Sequence, residues 1–222
     1  MTNHFLKIFL TVITLTAGER GVAEPIFGVA VGYSAGTLTR DIAEKFTTFT
    51  TAGYGGYSFR GFNLHGFFQH ADLSYKVGDN SYSGILGQSG VGIGYVFGSS
   101  KKGTLAVAVQ RPLSSTYIVL SETTGTVNDT SYKHSEMITL QGGSAIQALI
   151  GYDFIVYGSG PLKRGENFYL GFRFGYLSQT FDKQATRIKT NNSEIAPVST
   201  GSIDVNYSLK VISLFFTANY DI

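Results

Sequence analysis

The feature that most restricts the fold of this chain is a two-residue alternation of apolar and polar side chains, clearest between residues 212 and 222. A period of two predicts a β-strand whose two faces meet unlike surroundings. Because a strand at the end of a chain stays ordered only when neighbours hold it, the pattern favours a closed barrel. The two faces of this segment are Ile212, Leu214, Phe216, Ala218, Tyr220 and Ile222 against Ser213, Phe215, Thr217, Asn219 and Asp221.

The same alternation recurs in seven earlier segments that are separated by breaks rich in Gly, Ser, Asn and Pro. Strands of about ten residues are the length that crosses a membrane in a β-barrel. The sequence therefore predicts an all-β fold, an eight-stranded antiparallel up-and-down transmembrane β-barrel, with residues 24–222 as a single domain. The seven segments are 27–36, 54–60, 67–77, 90–97, 105–110, 145–154 and 168–176.

Composition supports a β protein with little conventional water-exposed surface. Charged residues make up 14% of the chain, against about 25% in typical soluble domains. The chain has 28 Gly, 14 Tyr and 17 Phe but no Cys, so disulfide scaffolds and thiolate chemistry are excluded. A net charge of +2 gives no electrostatic reason to expect a nucleic-acid partner.

The amino terminus resembles a secretory signal peptide. An apolar run follows Lys7, and Gly21 and Ala23 supply small residues at the positions a signal peptidase reads. We therefore expect residues 1–23 to be a signal peptide and the remainder to be exported.

Alternation alone does not say which face of the barrel points outward. The less apolar face consists mostly of Gly, Ala and Ser, which suits a narrow lumen better than a hydrated surface. We predict that scattered charges on that face form a polar network inside the lumen, and that aromatic residues of the apolar face form two membrane girdles. The predicted lumen network is Arg60, His70, Asp72, Lys76, Asp153, Arg173 and Asp221. The predicted girdle residues are Phe27, Tyr33, Tyr75, Tyr95, Phe97, Tyr152, Phe154, Phe168, Tyr176 and Tyr220.

The breaks between segments differ in length. Those after the second and fourth segments are short, whereas those after the first, fifth and seventh are long and polar. Short periplasmic turns and long external loops produce this asymmetry, with both termini on the periplasmic side. We predict that residues 111–135 and 178–202 are external loops that meet outside partners.

With these features the chain resembles the small outer-membrane β-barrels of Gram-negative bacteria, the outer-membrane protein A and opacity-type proteins. The resemblance lies in the signal-like start, the Gly-x-Gly-Tyr-x-Phe form of Gly92 to Phe97, and the terminal Phe216-x-x-x-Tyr220-x-Ile222. It implies an outer-membrane location, contact with outer-membrane lipid, insertion by the barrel-assembly machinery, and a monomer. The chain departs from that family by ending in Ile222 rather than in an aromatic residue.

Residues able to carry catalysis are sparse. Of the four His residues, none begins the His-x-Ser signature of the lipid A deacylase barrels. On the predicted lumen face, His70, Asp72 and Ser74 form a row that a nucleophilic hydrolase could use. Nothing predicts a cofactor or a metal site. The first hypothesis is a non-enzymatic barrel with a structural or adhesin-like surface role; the alternatives are a small-solute channel and a lipid-modifying enzyme centred on His70.

Overall fold

The structure is a computed structural model that describes residues 23–40, 43–77, 80–97, 103–127, 130–158, 166–190, 198–199 and 201–222. Within these ranges, side chains are described except at 43, 75–77, 80–81, 122–127, 130–134, 189–190 and 198–199. The predicted signal peptide, residues 1–23, lies outside the described residues except for Ala23, and it stays a prediction. No helix in the described ranges is long and apolar enough to cross a membrane.

The described residues form ten strands in one antiparallel sheet that closes on itself. From β1 to β6 each strand pairs with the next one along the chain. Strand β1 completes the ring by pairing with β10, from Ile26 opposite Asp221 to Thr39 opposite Ser208. The strands are Glu24–Thr39 (β1), Ala43–Phe59 (β2), Phe62–Val77 (β3), Asn80–Phe97 (β4), Gly103–Val127 (β5), Thr130–Gln141 (β6), Ala145–Tyr157 (β7), Asn167–Thr190 (β8), Val198–Ser199 (β9) and Ile203–Asp221 (β10).

Strands β6 and β7 together make one wall element, or stave, of the barrel. Both lie between β5 and β8, and they are separated by Gly142 and Gly143, which have φ angles of +77° and +71°. Within the described ranges, the two-residue β9 pairs with the end of β8, at Arg187 and Ile188. The barrel therefore has eight staves, and the predicted eight-stranded antiparallel up-and-down barrel is confirmed.

The two ends of the barrel differ, and we name them by their connections. The turn end carries the two-residue turn Arg60–Gly61, whose φ angles of +50° and +85° suit a tight hairpin. At the rim end β1 and β3 finish at Thr39 and Val77, and the longest strands, β5 and β8, finish there as well.

The outside of the barrel near the turn end is a continuous apolar belt. On β1, for example, Phe27, Val29, Val31 and Tyr33 are all exposed, while the residues between them are buried. An apolar outer surface of this extent requires a hydrocarbon environment. Further exposed residues of the belt are Tyr57, Phe68, Val91, Ile93, Tyr95, Phe97, Leu105, Val109, Ile146, Ile150, Phe154, Leu170, Phe174, Tyr176, Ile212, Leu214 and Phe216.

Toward the rim end the apolar face changes sides. On β10, Leu214 and Phe216 point outward, whereas Leu209 and Val211 are buried inside, although the strand pairing is continuous between them. The inside of the rim end is an apolar cluster, which we call the rim core: Leu38, Phe46, Ala71, Leu73, Leu86, Tyr117, Val119, Leu140, Leu177, Phe181, Leu209 and Val211. The outward residues at this level are polar and exposed, among them Thr39, Lys45, Thr47, Ser74, Gln141, Thr180, Asp182 and Lys210.

The prediction of long loops is wrong for most of 111–135 and 178–202. Strand β5 runs to Val127, β6 begins at Thr130, and β8 runs to Thr190. These segments are rich in Ser and Thr because their outward faces are polar, and this composition resembles that of a loop. Their Thr, Val, Ile and Tyr residues are nevertheless ones that favour strands. In the sequence, the sign that these segments are strands is the apolar residues of the inward face, such as Tyr117 and Phe181.

The predicted orientation of β3 is also wrong. Phe67 and Ala71 face the lumen, while Phe68 and His70 face outward. The turn decides this, because Phe59 pairs with Phe62 across it and paired residues share one face of a sheet.

Candidate functional site

The turn-end half of the lumen holds a polar network centred on one ion pair. Arg173 donates to both carboxylate oxygens of Asp153, at 2.7 and 2.6 Å. Asn219 donates to Asp153 at 3.1 Å, and Thr217 lies at 3.5 Å from the same oxygen. The hydroxyl of Tyr54 donates to the side-chain oxygen of Asn219. These five residues, the lumen network, join β2, β7, β8 and β10 across the barrel.

Asp153 is 4% exposed, and its charge is balanced by the bidentate pairing with Arg173. A buried carboxylate without such partners would be strongly unfavourable. Oδ1 accepts from Arg173 and from β10, and Oδ2 accepts from Arg173. With both oxygens engaged, this carboxylate is not placed to act as a general base on a substrate. The lumen network is therefore suited to filling and holding the barrel together.

His65 lies beside the network on β3. Its Nδ1 is 3.1 Å from the side-chain oxygen of Asn63, and its Nε2 is 3.0 Å from the amide nitrogen of Gln110. In a neutral imidazole one ring nitrogen donates a hydrogen bond and the other accepts one. The contacts of His65 fit this form, with Nδ1 donating to Asn63 and Nε2 accepting from Gln110. Since both nitrogens contact amides, His65 is not arranged as the base of a serine nucleophile.

Large side chains occupy the space that the lumen glycines leave. Gly28 stands opposite Tyr54 and Gly92 stands opposite His65 in the strand pairing, and a β-carbon on either glycine would collide with the facing ring. The space that remains near the lumen network is a cavity of about 100 Å³. Its lining includes Tyr54, His65, Asp153, Tyr169, Arg173 and Asp221.

A layer of buried glutamines separates the lumen network from the rim core. Gln88 donates to the side-chain oxygen of Gln179 at 2.6 Å and to the hydroxyl of Ser115 at 3.3 Å. The amide nitrogen of Gln179 and the amide oxygen of Gln147 are buried without a hydrogen-bond partner among the described residues. Gln179 is 1% exposed. Because buried polar groups normally have a hydrogen-bond partner, this amide nitrogen and the amide oxygen of Gln147 have unused capacity to bind a small molecule or water.

The residues predicted as a lumen network divide into three groups. Asp153, Arg173 and Asp221 line the lumen cavity. His70 and Asp72 were predicted wrongly: they lie outside the barrel near the rim-side edge of the apolar belt, and His70 Nε2 is 3.1 Å from Asp72 Oδ1. Arg60 was also predicted wrongly, since it is exposed in the β2–β3 turn, 5.4 Å from the ring centre of Phe59.

The side chain of Lys76, the remaining member of that prediction, lies outside the described residues, as does that of the predicted girdle residue Tyr75. The other predicted girdle residues share the outward parity of the belt and lie in two bands. Tyr33 and Tyr176 are at its rim side. Phe27, Tyr95, Phe97, Tyr152, Phe154, Phe168 and Tyr220 are at its turn side.

Sequence reasoning did not single out several residues of this site. Asn219 and Thr217 were visible as the polar face of the last strand. His65 and Gln110 gave no local signal, because their contact joins β3 to β5 over Gly92 of the intervening β4. Among the described residues, no cluster of three or more His, Asp or Glu side chains is placed to hold a metal ion.

Comparisons with known proteins find similarity in structure but not in sequence. No protein-family model matches the chain, and no curated protein matches it by sequence. The crystal structure of Ail, the attachment invasion locus protein of Yersinia pestis, is similar with a TM-score of 0.39 and 13% identity, covering 90% of this chain and 99% of that one. Neisserial surface protein A is similar with a TM-score of 0.42 and 11% identity, covering 86% and 95%. The outer membrane protease OmpT from Escherichia coli is similar with a TM-score of 0.33 and 6% identity, covering 89% and 96%. The narrower resemblance to outer-membrane protein A and opacity-type barrels stays a prediction.

Proposed function

We propose that this chain is a non-enzymatic outer-membrane β-barrel whose rim end projects from the cell surface and serves in surface interaction. The observation that carries the proposal is the change of apolar face along continuous strands. On β10, outward Leu214 and Phe216 give way to inward Leu209 and Val211. A wall that leaves a bilayer and continues into water needs this change, because water then replaces lipid on the outside.

The length of the staves supports a projecting rim. About 9–11 residues cross the membrane in a tilted strand, whereas β5 has 25 residues and β8 has 24. Much of each strand therefore extends beyond the belt, with polar residues outward. The tight Arg60–Gly61 turn at the opposite end fits the periplasmic side, where connections are short.

The filled lumen favours a structural or interaction role over a channel. At the rim end Tyr117, Leu140 and Leu209 are 0% exposed inside the barrel. At the turn end the Asp153–Arg173 pair occupies the lumen. An apolar rim core is a barrier to ions, since it offers no replacement for their hydration.

Two measurements test this proposal. We expect the full chain to fractionate with outer membranes and to migrate faster on gels when unheated than when boiled. In planar bilayers, the refolded protein is expected to show no steady conductance. Recovery as a soluble periplasmic protein would contradict the membrane location, and stable single-channel currents would contradict the filled lumen.

A shortened β5–β6 hairpin tests the interaction role. Leu120 and Met137 pair across this hairpin, so residues 121–136 can be replaced by Asn-Gly while the rim core below is kept. We expect the variant to stay heat-modifiable but to reduce attachment of expressing bacteria to epithelial cell layers. Equal attachment by the variant and the parent protein would contradict a role for this hairpin.

The alternative of a lipid-modifying enzyme centred on His70 stays a prediction that the geometry does not favour. His70 and Asp72 are outside the lumen, with exposed fractions of 46% and 75% for their side chains. The assay is fatty-acid release from phospholipid vesicles by the refolded protein. We expect no release above that of a His70→Ala variant, and a difference between the two would revive the enzyme hypothesis.

A further inference from the structure

The wall of the barrel has a gap in its strand pairing between β5 and the β6–β7 stave. Pairing of β5 with β7 ends at Gln110 opposite Gln147, and pairing with β6 begins at Thr116 opposite Gln141. Across residues 111–115 and 142–146, no pairing joins the two staves in the described structure. The gap opens into a recess of about 330 Å³, which we call the wall recess, lined by residues 112–116, 141–145 and Gln179.

Both edges of the wall recess are set by the sequence. On β5, Pro112 has no amide hydrogen, and Leu113 is the additional residue of a bulge, since Gly90 pairs with Pro112 and Ser89 with Ser114. On the other edge, the amide of Thr180 donates to the Ser144 carbonyl at 2.8 Å, drawing the chain toward β8.

Glycine is required at this second edge. Both Gly142 and Gly143 have left-handed backbone conformations, and a β-carbon on either would collide with β8. At Gly143 the collision is with the backbone carbonyl of Thr180, so a larger residue there would push the chain away from β8 and distort the recess.

The recess lies at the rim-side edge of the apolar belt. Leu113 and Ile146, which are 69% and 56% exposed, flank it on the outside. Gln141 and Ser144, on the rim side of Ile146, are polar and exposed. Arg111 also faces outward, because it pairs with the outward residue Val91. In the membrane this is the level at which lipid headgroups meet acyl chains, and a long arginine reaches the headgroups from there.

The chemistry of the wall recess is that of a site for acceptor oxygens. Gln179 lines the recess, and its amide nitrogen is buried without a hydrogen-bond partner among the described residues. Ser114 and Ser144 supply hydroxyl groups at its edges. Arg111, an exposed cation, directly precedes the lining residue Pro112 in the chain. Donors and a cation select an anionic oxygen-rich group, while the flanking Leu113 and Ile146 select hydrocarbon.

We propose that the wall recess binds the phosphate headgroup of an anionic lipid whose acyl chains lie along Leu113 and Ile146. This inference rests on the proposed membrane location. The Gln88–Gln179 hydrogen bond closes the inner end, so the lipid headgroup stops at the wall and does not pass into the lumen.

The test is native mass spectrometry of the full refolded chain in octyl glucoside micelles, titrated with dioleoyl phosphatidic acid, dioleoyl phosphatidylcholine or glycerol 3-phosphate. We expect phosphatidic acid to bind about tenfold more tightly than phosphatidylcholine, as a charge-assisted contact to Arg111 predicts. Glycerol 3-phosphate alone is expected not to bind at the same concentration; binding as tight as that of phosphatidic acid would overturn the lipid assignment.

Variants locate the site. Arg111→Ala is expected to weaken phosphatidic acid binding about tenfold, and Gln179→Leu to weaken it as well. Lys210→Ala is the matched control, because Lys210 is an exposed cation near the same edge of the belt on β10. Equal effects of Arg111→Ala and Lys210→Ala would overturn the site in favour of general charge attraction, as would no effect of Arg111→Ala.

Heat-modifiable migration on gels establishes that each variant is folded. If Gln179→Leu does not fold, phosphatidic acid binding by the Arg111→Ala variant tests the site, because Arg111 is exposed. Failure of the parent chain to insert into vesicles overturns the proposed function and this inference together. Insertion without preference for phosphatidic acid overturns this inference alone.

Discussion

The guanidinium of Arg173 lies 2.6 Å from the carboxylate of Asp153, inside the barrel between β7 and β8. Removing one member of such a pair leaves the other buried and unpaired. We expect Arg173→Leu to lower the free energy of unfolding by about 3–5 kcal/mol. The Asp153→Leu/Arg173→Leu double variant is expected to lose less than the sum of the single variants. Urea unfolding in lipid vesicles measures all three, and additive losses would show that the pair does not act as a unit.

Two leucines of β10 are predicted to differ in their contribution to stability, because one belongs to the rim core and the other faces lipid. Leu209 is 0% exposed inside the barrel, whereas Leu214 faces the belt exterior. Leu209→Ala leaves a cavity and is expected to cost about 2–5 kcal/mol. Leu214→Ala is expected to cost less, because lipid chains fill the vacated space. The same unfolding assay compares them, and an equal or larger loss for Leu214→Ala would contradict the assigned orientation of β10.

The boundary of the belt predicts where a charge is tolerated. Phe216 lies in the middle of the outward apolar residues of β10, and Ser208 lies beyond them toward the rim. An arginine on the lipid face costs about 2–4 kcal/mol at the bilayer midplane and roughly 0–1 near the interface. We therefore expect Phe216→Arg to reduce stability in vesicles far more than Ser208→Arg. Similar losses at the two positions would place the membrane boundary elsewhere.

Two histidines on β3 serve as a matched pair. His65 contacts Asn63 and Gln110 inside the barrel, whereas His70 is exposed beside Asp72. His65→Ala leaves buried amide groups unpaired and is expected to cost about 1–3 kcal/mol. His70→Ala is expected to change stability by less than about 0.5 kcal/mol. Thermal or urea unfolding distinguishes these outcomes, and a larger loss from His70→Ala would reverse the assigned faces of β3.

The parity of β3 shows what local pattern could and could not predict. Phe67, Ala71 and Leu73 look like a lipid-facing set when read alone, although Gln69 interrupts them. The two-residue turn at Arg60–Gly61 links the faces of β2 and β3, so the outward position of Tyr57 requires Leu64 and Phe68 to be outward. The pairing across this turn therefore places His70 outside the barrel, which the pattern of β3 alone does not show.

The sequence by itself determined that the chain forms strands, how many staves the barrel has, and which face of most turn-end segments is apolar. These are local properties, because side chains alternate with a period of two in any strand. The tertiary structure decided which face points inward in each part of the barrel. The alternation of Leu209 and Val211 is the same pattern as that of Leu214 and Phe216, yet one pair packs inside and the other faces outward. Only the closure of the ring brings Tyr54 of β2 to Asn219 of β10, which lie far apart in the chain. Asp153, Arg173 and Asn219 lie on the consecutive staves β7, β8 and β10.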